Sequence, residues 1–217
     1  MSGGASSGAR GVILGRIRDI LGERPRSAAE EYQAIEREYR DAPTLDADQR
    51  VELFVDRLQH YQVGVYRCEP ATLRRTIGET LANRQKTRPV VPVDLPREWL
   101  PPELMVVDDV GLSDADLDRC EGVVTGCSLA IATTGTIVLR HLQAEGRRAL
   151  TLVPDYHLCV VSADQIVQTV PEAVRKLAVW QPALVTTISG PSATADIEMT
   201  RIRGVHGPRT LDVVLCG

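Results

Sequence analysis

Three clusters in the second half of the chain carry the residue types that bind anions or move protons. The first runs from Thr125 to Thr136, where Gly126 and Gly135 flank a short apolar run and are interleaved with Ser128, Thr133, Thr134 and Thr136. Glycine lets a backbone turn tightly and come close to a ligand, and hydroxyls donate to phosphate or carboxylate oxygens. A pair of turns whose Ser and Thr satisfy local backbone groups accounts for the same residues. In the second cluster, Asp155-Tyr156-His157, an acid, a phenol and an imidazole stand at the entrance to an apolar strand. Histidine there is suited to proton transfer near neutral pH, although a lone histidine before a strand is more often structural. The third cluster, Ser189-Gly190-Pro191-Ser192-Ala193-Thr194-Ala195-Asp196-Ile197-Glu198, is followed by Gly204-Val205-His206-Gly207-Pro208. A helix starting near Ser192 or Thr194 would offer amide groups to an anion, with Asp196 and Glu198 either lining that site or complementing the helix dipole.

Positioning these loops requires strands that end beside them. After Gly64, short β-rich runs alternate with helices: strands are expected at 63–66, 89–93, 104–107, 122–125, 136–139, 150–153, 158–161, 184–188 and 211–216, with helices at 70–82 and 171–178. Continuous apolar runs such as Leu158-Cys159-Val160-Val161 indicate strands covered on both faces. The alternation indicates an α/β domain around a mainly parallel sheet flanked by helices. In such sheets ligands collect at the carboxyl ends of strands. The first sixty residues are helical in pattern instead. Val12, Ile13, Ile17, Ile20 and Leu21 share a face before Gly22, Ser27 caps a charged helix running to about Tyr39, and a third helix from Asp46 turns Val51, Phe54, Val55 and Leu58 inward. The expected division is a helical N-terminal extension over 1–62 and an α/β domain over 63–217.

Composition excludes several classes. A formal net charge of -4 with one Phe and two Trp gives no basic, aromatic footprint for nucleic acid. The local group Arg67, Arg74, Arg75, Arg84, Lys86 and Arg88 reads as solvated surface. No run reaches the roughly 18–20 apolar residues of a membrane span, and the Gly/Ser-rich start lacks the pattern of a signal peptide. Five scattered cysteines without a CxxC pair indicate reduced thiols, a cytoplasmic setting and no iron–sulfur site in this chain. There is no phosphate loop, GxGxxG, HExxH or GxSxG motif. No metal site is expected.

Taken in order, Thr125-Gly126-Cys127, Ala130-Ile131-Ala132-Thr133-Thr134-Gly135-Thr136, Pro154-Asp155-Tyr156-His157, the Ser189–Glu198 stretch and Gly204-Val205-His206-Gly207-Pro208 resemble the LUD domain of the lactate-utilisation protein C (LutC/YkgG) family. The resemblance is dense from about Val106 onward. It implies a NagB/RpiA/CoA-transferase-like α/β fold and a part in oxidising L-lactate to pyruvate beside separately encoded iron–sulfur proteins, with no cofactor in this chain. The loops themselves are read as binding a small anionic ligand on Gly126, Thr134, Gly135, Thr136, Ser189, Gly190, Ser192 and Thr194, with His157, Asp196, Glu198 and His206 as candidates for orienting it or moving protons. The alternative is a stand-alone enzyme like CoA transferases or sugar-phosphate isomerases. Thr133 occupies the place of the family's usual Glu, and a threonine cannot act unaided as a carboxylate base or nucleophile.

Overall fold

The computed structural model of the chain describes residues 9–22, 27–36, 43–180, 183–191, 193–195, 201–203 and 207–217. Contacts divide the chain into two units, 1–39 and 40–217.

The first unit contains α1 (Ala9–Leu21) and α2 (Ala28–Gln33). Gly22 ends α1 at φ +67°, a left-handed conformation that favours glycine. The apolar residues of α1 named above are all exposed. Ser27 and Glu30 form a capping box on α2, each side chain accepting from the other's backbone N–H.

In the second unit, α3 (Ala47–His60) opens with a capping box between Asp46 and Gln49 and buries Phe54, Val55 and Leu58. Sequence pattern groups α3 with the N-terminal extension, whereas its contacts belong to the α/β unit. The remaining elements are β1 (Gly64–Cys68), α4 (Leu73–Asn83), β2 (Val90–Val91), β3 (Val107–Asp108), α5 (Asp114–Asp118), β4 (Val123–Thr125), β5 (Leu129–Ile131), β6 (Thr136–Leu139), β7 (Tyr156–Ser162), β8 (Ile166–Val167), α6 (Val170–Val179), β9 (Thr186–Ile188), β10 (Ala193–Ala195), β11 (Arg201–Arg203) and β12 (Thr210–Cys216).

Six strands form a parallel sheet in the order β1-β12-β7-β4-β2-β3. Side chains alternate across it with period two. Leu211, Val213, Leu215, Cys159 and Val161 join the core under α3, while Val214, Leu158 and Val160 join Leu73, Ile77 and Leu81 of α4 on the other face. A second sheet, β8-β5-β6-β9, packs Ala130, Ile137 and Leu139 into the α3 core. Its other face meets Ala173 and Leu177 of α6. The expected mainly parallel sheet flanked by helices is therefore present.

Several expected elements differ. Residues 148–151 form a 3-10 turn, not a strand, and drop Leu150 between Leu117 and Val123. The strand expected at 89–93 shortens to Val90–Val91, because the flanking Pro89 and Pro92 cannot donate to a ladder. The helix expected near Ser192 or Thr194 is absent: Ala193–Ala195 pairs antiparallel with Arg201–Arg203 as a two-stranded ribbon. The cross-strand bonds available there satisfy the backbone in place of a helix.

Candidate functional site

Two glycine-containing loops, far apart in sequence, meet beside the last turn of α3. Ala132–Thr134 forms a 3-10 turn closed by Gly135 at φ +59°, and Gly190 follows β9 at φ +83°. A Cβ on Gly135 would lie 2.8 Å from Cβ of Arg57, and one on Gly190 would lie 2.7 Å from Cβ of Tyr61. Both loops therefore need glycine for conformation and for close approach to α3. Between them runs a chain of hydroxyls: Thr134 Oγ1 lies 2.7 Å from Thr136 Oγ1, which lies 2.8 Å from Ser189 Oγ. Thr136 is buried, Thr134 half-buried and Ser189 exposed. Each hydroxyl donates once and accepts twice, so the chain can present a hydrogen to an anion at its exposed end or pass a proton along itself.

Thus Thr134, Gly135, Thr136, Ser189 and Gly190 come together. Gly126 lies elsewhere, donating its N–H to Ala144 O at 2.8 Å and facing Trp99. Thr194 sits in β10. Ser192, Asp196, Glu198 and His206 lie outside the described residues. Thr133 is exposed at the tip of the 3-10 turn, with its N–H on Gln168 O.

His157 is 1% exposed. Its Nε2 meets Thr125 Oγ1 at 2.7 Å, and burial pushes its pKa down to about 4, so it is a neutral core imidazole at pH 7. Cys68 and Cys127 are equally poor nucleophiles. Burial, followed by the charge of Cys216, pushes Cys68 up to about 11. A hydrogen bond with Cys159, followed by burial, raises Cys127 well above the usual thiol range. Raised thiols remain protonated and inert. Among the described residues no three His, Cys, Asp or Glu side chains cluster as metal ligands.

Two polar constellations escaped the sequence reading. Asp212, fully buried on β12, receives Arg84 Nε and Nη2 at 2.7 Å each and the Tyr156 hydroxyl at 3.0 Å. Burial, then the Asp212 charge, pushes the Tyr156 phenol up. Gly64 opposes Asp212 across the strands, and a Cβ there would fall 2.3 Å from Asp212 Oδ1. The second constellation is the loop after β6. Glu145, 2% exposed, accepts from Ser128 Oγ and Arg140 N at 2.5 Å each, and His141 bridges Gly146 O at 2.9 Å and Thr186 Oγ1 at 2.7 Å. Nothing in the spacing of Arg84 and Asp212 marks them as partners. The loop did carry one signal, a His and a Glu followed by Gly146-Arg147-Arg148.

Comparison with known proteins bears on this geometry. The LUD domain family model matches residues 51–216. Lactate utilization protein C of Deinococcus radiodurans is 46% identical over 167 residues, covering 76% of this chain and 78% of that protein. The uncharacterized protein YkgG of Escherichia coli is 37% identical over 112 residues, 48% of each chain. A crystal structure of a DUF162 family protein from Deinococcus radiodurans superposes with a TM-score of 0.70 at 40% identity, covering 80% of this chain and 99% of that one.

Proposed function

The chain belongs to the LUD domain family, and from that premise we propose that it serves in L-lactate utilisation as a cytoplasmic subunit that handles a small anionic ligand. The name of the Deinococcus relative supports the pathway. In this reading, separate iron–sulfur proteins carry the electrons of lactate oxidation to pyruvate. The scattered cysteines of this chain, with no CxxC pair, are consistent with that division of labour. No helix among the described residues is long and apolar enough to cross a membrane.

The observation that carries ligand binding is the 2.8 Å contact between Thr136 and Ser189, which joins loops 53 residues apart into one hydroxyl chain. Such a chain has no packing purpose that apolar side chains would not serve as well, and its exposed end faces solvent at Ser189. The backbone and Cβ of Arg57 abut Gly135 and hold the first loop in place. With Thr133 where a carboxylate is usual, the reading is binding and orientation, without a covalent step on this chain.

The test is genetic and biochemical together. Cells lacking the chain should lose growth on L-lactate, with rescue by the wild type and not by Thr136→Val with Ser189→Ala. The purified double variant should also lose the rise in melting temperature that a bound anion confers on the native state. Normal lactate oxidation without the chain would overturn the pathway assignment, and an unchanged thermal response in the variant would overturn the site.

A further inference from the structure

Helix α1 holds an apolar face in water. None of its 13 residues is buried, and Ile13, Leu14, Ile17, Ile20 and Leu21 are 57%, 37%, 45%, 85% and 61% exposed. A helix this short is marginal in water even when built from good helix formers. Gly11 and Gly15 weaken it further, because glycine loses more backbone freedom on ordering than any other residue. A surface that takes up the apolar face would supply the stabilisation that propensity and burial do not.

The arrangement of residues around the axis describes that surface. Successive residues of an α-helix are about 100° apart, so Ile20, Ile13, Ile17, Leu21 and Leu14 fall in that order within an arc of about 120°. Arg16 and Arg18 lie about 40° beyond its two edges, and only about 3 Å apart along the axis. Gly11, Gly15 and Asp19 fall on the opposite side, together with Val12, while Arg10 enters the arc at the first turn. Charge is set apart in the same part of the chain. Residues 1–26 hold five arginines against Asp19 and Glu23, a net charge of +3 in a chain whose total is -4. The complementary surface is apolar in its depth and anionic at its rim.

An acidic groove of another protein and an anionic bilayer both answer that description, and two features favour the bilayer. Protein interfaces anchor on a few aromatic or arginine side chains in fitted pockets, whereas the arc of α1 consists mainly of interchangeable aliphatic residues without an aromatic. Arginines level with each other on both edges of a broad apolar arc suit a plane. The aliphatic side chains enter the acyl region, and the arginine stems follow them while their guanidinium groups stay at the phosphates.

We propose that α1 docks the chain on anionic phospholipid bilayers, with its apolar arc inserted, Arg16 and Arg18 on lipid phosphates, and the face bearing Gly11 and Gly15 toward water. Its 13 residues are too few to span a bilayer, so it lies in the plane of the surface. Attachment through one short helix is reversible. The proposal is independent of the hydroxyl chain and its ligand.

Flotation of the full chain with vesicles of phosphatidylcholine, alone or mixed with phosphatidylglycerol, tests it. The chain should float with the mixed vesicles and not with phosphatidylcholine alone, and added salt should release it by screening the arginines. Ile17→Glu with Ile20→Glu should abolish flotation. Arg16→Ala with Arg18→Ala should lower partitioning about thirtyfold, the scale of two basic residues at an anionic surface, and Arg16→Lys with Arg18→Lys should retain most of it. None of these positions is buried, so melting temperatures should stay at the wild-type value. No flotation of the wild type, equal flotation on phosphatidylcholine alone, or flotation indifferent to the isoleucine pair would each overturn the proposal. So would a dimer in analytical ultracentrifugation that Ile17→Glu with Ile20→Glu dissociates, since a second copy would then cover the face.

Discussion

His157 and Thr125 show how burial decides what a side chain can do. An imidazole at a strand entrance has the right chemistry for proton transfer, yet this one is sealed in the core beside a threonine hydroxyl. Its pKa, about 4 in the fold against an ordinary 6.5, has a thermodynamic consequence. Between those values the unfolded chain binds a proton that the folded chain refuses, so stability falls as pH drops through that window and is unaffected above it. His157→Gln removes the titration. Melting temperatures measured from pH 7 to about 4.5 should therefore decline less steeply in the variant than in the wild type; parallel declines would show that His157 is not buried neutral. The buried carboxylate of Asp212 makes the complementary case. Arg84→Ala strands it without its fork of hydrogen bonds, and unfolding by urea should show a loss of about 2–4 kcal/mol, below the full cost of breaking a buried pair because Arg84 itself is 40% exposed. Arg84→Lys should recover only part of that, since an ammonium cannot reproduce the two-pronged geometry.

Among the elements, α3 has two duties. Phe54, Val55 and Leu58 cover one face of the parallel sheet, while Arg57 and Tyr61 at its end press on Gly135 and Gly190. Its entrance is tied down as well, because Gln168 Oε1 accepts from the backbone of Thr44 and Leu45. The helix thus couples core packing to the position of both hydroxyl-bearing loops. Gly190→Ala should cost about 1–3 kcal/mol, the scale of a non-glycine residue forced into a left-handed conformation, and should separate Ser189 from Thr136. Its effect on anion binding should exceed that of a Ser189→Ala change alone. A variant as stable and as competent as the wild type would mean that the close approach to Tyr61 is not required.

At the scale of the whole molecule, contacts set the boundary of the α/β unit before α3. A chain beginning at residue 40 should fold cooperatively with an unchanged melting temperature. A chain beginning at residue 63 should aggregate or melt without cooperativity, because it uncovers the core shared by Val213, Cys159 and Ile137. Circular dichroism of the two truncations reads the difference directly. The order β1-β12-β7-β4-β2-β3 also places the last strand between the first and the seventh. The sheet therefore closes only once the C-terminus is in place, and loss of residues 210–217 should abolish folding altogether.

The sequence by itself determined the class of fold, the mainly parallel sheet, the cap of α2, the start of α3 and the family. These follow from local periodicity, capping residues and ordered motifs, all of which are written in neighbouring positions. It also brought Thr134, Gly135, Thr136, Ser189 and Gly190 forward as candidates, because glycine and hydroxyl residues at strand ends are a local signal. Only the tertiary structure decided that these five meet under α3, that Gly126 does not join them, and that His157 is core. It alone paired Arg84 with Asp212 across 128 residues, and it joined His141 to Gly146 and Thr186 in an unremarked loop. The physical reason is the same throughout. Burial and long-range hydrogen bonding depend on which strands become neighbours, and strand order is a property of the closed sheet that no short stretch of residues contains.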